Sequence, residues 1–164
     1  FAVTTGIGIK KWVKHFQDQQ DDYSAIMLKA LADRLAEALA ERLHERVRKE
    51  FWGYADEEKL TNDDLISEYY KGIRPAPGYP ACPEHSEKSK LFKLLDIQNK
   101  INIALTESFA MYPAASVSGW YFAHPESKYF GVNLVAEDQV KDYALRKGIS
   151  EERAKRLLGH IMPD

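Results

Sequence analysis

At 164 residues the chain is long enough for one domain that buries roughly two thirds of the surface its unfolded form exposes. With 45% hydrophobic and 29% charged residues and a net charge of -2, it has no general pull toward nucleic acid or an anionic membrane. A single cysteine, Cys82, excludes an internal disulfide and points to a cytoplasmic setting, and no apolar run approaches the ~18 residues of a membrane span.

Phe1 to Gly8 reads as the end of a strand, or a connector, whose partner lies upstream. Trp12, Val13 and Phe16 fall at helical spacing within a short helix from Lys10 to Asp18. Asp21 and Asp22 suit the positive end of the next helix, which meets no proline or glycine before Gly53 and so runs from about Asp22 to about Phe51, about eight turns. Tyr23, Ile26, Met27, Ala30, Leu31, Leu35, Ala38, Leu39, Leu43 and Val47 form its expected packing face. Arg34, Glu37, Glu41, Arg42, Glu45, Arg46, Arg48 and Lys49 read as a solvated face of interleaved charges. Trp52-Gly53-Tyr54 ends the helix, and Thr61 caps a short one that runs through Tyr69, with Asp63 and Asp64 in its first turn.

Arg74 to His85, R-P-A-P-G-Y-P-A-C-P-E-H, carries four prolines in twelve residues. Proline fixes its own φ and biases the preceding residue toward extended backbone, so the stretch reads as a rigid arch with Gly78 as its one permissive joint. Such an arch can hold the Arg74 guanidinium and the Tyr79 phenol in fixed positions. On composition alone the commoner use is a crossover between packing units, with Arg74 solvated and Tyr79 a lid.

Pro83 to Leu95 is an amphipathic helix by pattern, and the alternation of Ile101, Ile103 and Leu105 predicts a short strand within Gln98 to Thr106. Residues 116 to 135 read as a β-hairpin turning at His124-Pro125-Glu126-Ser127. A helix from Glu137 to Lys147 stops at Gly148, and Ser150 caps another through Leu158. Helices and strands that do not alternate regularly predict an α+β fold: mixed helices on a small, largely antiparallel sheet, organised about the long central helix.

The chemistry is sparse. Cys82 and His85 make one C-x-x-H pair, too few ligands for a metal, and read instead as a small buried group and a helix-start residue. No G-x-S-x-G, P-loop or Rossmann glycine pattern occurs, so no catalytic residue is assigned.

Three motifs, in order, carry a resemblance: A-L-A-D-R-L-A-E-A-L-A-E-R-L-H-E-R-V-R-K-E-F-W-G-Y from residue 30, the arch, and G-W-Y-F-A-H-P-E-S-K-Y-F at 119 to 130. Together they resemble the C-terminal activation (S-adenosylmethionine-binding) domain of cobalamin-dependent methionine synthase. That resemblance implies S-adenosylmethionine as ligand, held over cobalamin bound by a neighbouring domain of the same polypeptide, with a flavodoxin-type electron donor. No nucleic acid or membrane partner is implied. Carried over residue by residue, it implies that Arg74 takes the ligand carboxylate, that Tyr129 and Phe130 meet the adenosyl part, and that Gly78 and Tyr79 lie beside it. Phe130 stands where relatives often have tyrosine, which leaves it backbone contact and ring packing.

The resemblance further implies that residues 1–164 are the C-terminal part of one domain, with an acidic ligand residue upstream of Phe1. Methyl transfer from a sulfonium needs no acid, base or nucleophile from the protein, so positioning suffices. The competing reading is an interaction module whose long charged helix docks the cobalamin domain or the electron donor.

Overall fold

A computed structural model describes residues 1–163. The element that organises the chain is α2 (Asp22–Arg46), capped by the Asp21 carboxylate, which accepts from the Ser24 N–H at 3.0 Å. It continues as a looser turn, Val47–Phe51, in which the N–H of Trp52 reaches the carbonyl of Val47 at 2.9 Å. Its predicted length holds, but its predicted packing face does not. Ala25, Ala32, Ala36, Ala40 and His44 are buried, whereas Tyr23, Ile26, Met27, Leu31, Leu35 and Leu39 are exposed, Leu31 by 53% and Leu35 by 59%.

The reason is steric. β1 (Ala2–Thr4) pairs antiparallel with β4 (Ser116–Ser118), matching Val3 to Val117, and this ribbon lies directly on the helix. Only alanine leaves room for Val3 and Val117 to seat against Ala36 and Ala40 at that distance. The partner of the first strand is thus downstream in the chain, not upstream. With large apolar residues exposed on another side as well, α2 carries two apolar stripes separated by its charged residues, the pattern of a helix packed between two layers.

α1 (Ile9–Asp18) precedes α2, and α3 (Asn62–Ile66) follows it, shorter than expected but held by the predicted cap. Thr61 Oγ1 accepts from the Asp64 N–H at 3.2 Å, and the Asp64 carboxylate accepts from the Thr61 N–H at 2.8 Å. α4 (Lys88–Leu95) starts five residues later than the pattern suggests, because Glu84 turns back to accept from the Ser86 N–H. The alternation of Ile101, Ile103 and Leu105 proves composite. α5 (Ile97–Ile101) ends at Asn102, whose φ of 55° redirects the chain into β2 (Ala104–Leu105), paired with β3 (Met111–Tyr112).

The expected hairpin at 116 to 135 does not form. Beyond Ser118 the chain pairs with the arch instead: the Trp120 N–H donates to the Pro75 carbonyl (3.0 Å), Ile73 and Phe122 exchange two hydrogen bonds at 2.9 Å, and the Val132 N–H donates to Pro80 (2.8 Å). Proline carbonyls still accept although proline has no N–H to give, so the arch can be bordered on its acceptor side. The arch itself folds into a tight turn rather than running extended, with the Gly78 N–H on the Cys82 carbonyl at 2.7 Å. α6 (Glu137–Lys147) and α7 (Glu151–Leu158) pack through Val140, Ala144, Ala154 and Leu158, with the turn at Gly148 and the Ser150 cap both as predicted. Tyr143 and Lys147 tie that pair to the foot of the arch, both donating to Glu84, at 2.7 and 3.2 Å. None of the described helices is long and apolar enough to cross a membrane.

Candidate binding cleft

Arg74 enters its position from both sides. Its backbone N–H donates to the Tyr129 hydroxyl at 2.9 Å, and that hydroxyl lies 3.0 Å from the Tyr70 hydroxyl. Arg74 Nη1 donates to Glu41 Oε2 at 2.8 Å and to the Tyr70 hydroxyl at 3.3 Å. Among the described residues nothing bonds Nε or Nη2, so one edge of the guanidinium fork is held by protein and the other is free. Burial pulls the pKa of Arg74 down, but Glu41 and the two tyrosines outweigh it, and the guanidinium stays charged with a raised pKa. Burial, then the Tyr129 hydroxyl, pushes the Tyr70 phenol well up, so Tyr70 stays a neutral strut.

Arg74 lines a cleft of about 290 Å³ together with Pro75, Ala76, Tyr79, Pro80, Tyr129 and Phe130 from the predicted motifs and with Glu37 and Glu68. Tyr79 donates to Glu37, and burial followed by that carboxylate pushes its phenol up to about 12. Gly78 does not line the cleft but shapes its edge. At φ +100° an added Cβ would stand 2.3 Å from His85 Cε1, so glycine is required for the arch to close over that ring. A second cavity of about 700 Å³, walled by Ile73, Trp120 and Phe122, shares Pro75, Ala81 and Phe130 with the first.

Arg74, Tyr79, Tyr129 and Phe130 are therefore brought together, and the charges expected on a solvated helix face are not all solvated. Glu37 lines the cleft, Glu41 grips Arg74, and Arg48 is fully buried. The legible signal for them was the adjoining alanine stripe: small residues every turn mark a helix face approached closely, and its bordering charges belong to that contact. Cys82 is half-buried, His85 Nδ1 is taken up by Lys88 Nζ at 2.9 Å, and among the described residues no three or more metal-ligating side chains cluster.

His44, 0% exposed, is stacked on Tyr121 with Nε2 3.3 Å from the Tyr54 hydroxyl. Burial, with Arg48 and Arg74 nearby, lowers its pKa to about 3. The unfolded chain then binds a proton that the folded chain refuses, so the stabilising term is whole above the unfolded value near 6.5 and is lost as pH falls toward 3. Urea unfolding at pH 7.0 and 5.5 is expected to show a loss of about 1 kcal/mol that His44→Asn removes.

This α+β module sets a half-engaged guanidinium among carboxylates and phenols, the groups that recognise a charged small molecule. The chain belongs to the family described as vitamin B12 dependent methionine synthase, activation domain, whose model matches residues 1–148. Among solved structures it is similar to one described as the crystal structure of the MetH reactivation domain bound to AdoHcy, at 57% identity and a TM-score of 0.94. The match covers 99% of this chain and 50% of that one, so the chain spans half the length of that relative.

Proposed function

We propose that the cleft binds S-adenosylmethionine and its demethylated form S-adenosylhomocysteine, and that the chain serves as the C-terminal part of the reactivation module of a methyltransferase, cobalamin-dependent methionine synthase. The observation that carries this is the free Nε–Nη2 edge of an otherwise pinned Arg74, which matches the two oxygens of an amino-acid carboxylate. The rest of the wall fits the rest of the ligand. Glu37 and Glu68 supply negative charge for an ammonium and a sulfonium, and the Phe130 ring with Pro75 and Pro80 offers flat apolar surface to an adenosyl group. Tyr129 acts chiefly through its hydroxyl, by fixing the arch at Arg74.

Cobalamin held by a neighbouring domain and reduced by a flavodoxin-type donor would supply the methyl acceptor, and Arg74, Glu37 and Phe130 of this chain would hold the sulfonium methyl donor beside it. This chain contributes position and charge, and alone it is not a catalyst. Amide shifts in an NMR titration with S-adenosylhomocysteine are expected to cluster at Arg74–Ala81 and Tyr129–Phe130. Shifts confined to other surfaces would reject the assignment.

The exposed stripe of α2 supports the reading that residues 1–164 are part of a larger domain, since a helix apolar on both sides needs a second layer. In sedimentation velocity this chain is expected to self-associate. Leu31→Lys with Leu35→Lys restores the monomer, as does extension to the full length of the matched relative.

A further inference from the structure

Behind Arg74 stands an alternating row of charges that the cleft itself does not display. Glu41 sits on α2 two turns before Arg48, and its carboxylate is divided between two arginines: Oε2 accepts from Arg74 Nη1 at 2.8 Å, while Oε1 lies 4.0 Å from Arg48 Nη1. Oε1 and Arg48 Nη1 are both buried without another partner, a buried acceptor facing a buried donor. The rest of the Arg48 fork is fully used. Nε and Nη2 donate to the Glu58 carboxylate at 2.8 and 2.7 Å, and the guanidinium lies 4.5 Å over the Tyr70 ring. Glu58 belongs to the segment between α2 and α3 and has no place on the cleft wall.

We propose that Glu41 is a positioning residue for the ligand carboxylate, held in register by the buried Arg48–Glu58 pair, and that it decides which edge of Arg74 the ligand can use. The inference rests on the cleft assignment above and deepens it. Without Glu41 the guanidinium is free to turn about its stem and offer either edge; with it, Nη1 is committed to protein and only the Nε–Nη2 edge remains. Charge alone predicts the opposite sign, since deleting a carboxylate 2.8 Å from the arginine would favour an incoming anion. Position and charge are therefore separable by experiment.

The affinities of S-adenosylhomocysteine and of 5′-methylthioadenosine, which lacks the amino-acid carboxylate, are compared in the chain and in Glu41→Ala, Glu41→Gln and Glu58→Gln. Glu41→Ala is expected to weaken S-adenosylhomocysteine about tenfold while leaving 5′-methylthioadenosine unchanged. Glu41→Gln, which keeps an acceptor for Nη1, recovers most of the loss, and Glu58→Gln shows a smaller selective loss from outside the cleft. Equal or tighter binding of S-adenosylhomocysteine by Glu41→Ala overturns the proposal, as does an equal loss for both ligands. A readout without ligand separates this from the cleft assignment: the Arg74 Nη resonances are expected to be distinct in the chain and to merge in Glu41→Ala. Should neither this chain nor a polypeptide of the matched relative's full length bind either compound, the cleft reading fails, and Arg74 resonances unaltered by Glu41→Ala would still refute the positioning role.

Discussion

Arg74→Ala lowers the affinity for S-adenosylhomocysteine about a hundredfold, near 2.7 kcal/mol, on the proposed reading of the cleft. The size follows from what is removed. A bidentate pair between a charged fork and a carboxylate, with the fork 19% exposed, is among the stronger contacts a small cleft can make. Arg74→Lys is the informative companion. It keeps a positive charge beside Glu41 but offers a point rather than a fork, so it is expected to lose about tenfold in affinity while melting close to the parent. A calorimetric titration of the three proteins, each with its thermal unfolding curve, checks both numbers. Alanine lowers the melting temperature as well, because it leaves the half-buried Glu41 carboxylate between Arg48 and an empty position.

Gly119→Ala is expected to cost about 3 kcal/mol in stability. Gly119 lies where the chain leaves β4 to run along the arch, and a Cβ built there would meet the Pro75 carbonyl oxygen at 2.4 Å and Ala76 Cα at 3.1 Å. Both neighbours are backbone, held by the Trp120-to-Pro75 hydrogen bond, so neither can rotate aside. Relief requires the arch to lift from β4, which also displaces Arg74 from Tyr129. Gly159→Ala is the control: no atom lies within 4 Å of its Cβ position and its φ of -54° suits alanine, so its urea midpoint should match the parent or rise slightly. Equal midpoints for the two variants would show that the arch is not seated as described.

Much of the local structure was legible because its causes are local. The acidic start of α2 at Asp21 and Asp22, its uninterrupted length, the Thr61 and Ser150 caps and the Gly148 stop each depend on nearby residues. The buried side of α2 was not legible in the same way. Periodicity finds the larger apolar stripe, and here the smaller one, made of alanines, carries the contact with β1 and β4. The misread hairpin has a similar cause. Residues 119 to 132 have the alternation of a strand, but their partners are Ile73 and the carbonyls of Pro75 and Pro80, about 45 to 52 residues earlier, a pairing that no local pattern encodes.

The cleft divides along the same line. Proline density marked the arch and hence Arg74 and Tyr79, and the resemblance marked Tyr129 and Phe130. Charge spacing hid Glu37 and Glu41, since a carboxylate one turn from arginines looks alike whether it faces solvent or protein, and only the alanine stripe beside them marks that side of α2 as closely approached. What distinguishes them is the fold, which brings the arch down onto that side of α2 and turns surface charges into the clamp on Arg74.

The most direct test is calorimetric titration of S-adenosylhomocysteine into this chain and into a polypeptide spanning the full length of the matched reactivation domain. Saturable one-to-one binding by the chain, about a hundredfold weaker in Arg74→Ala and tighter in the longer polypeptide, is the predicted result. No heat of binding in either protein would contradict the assignment of the cleft.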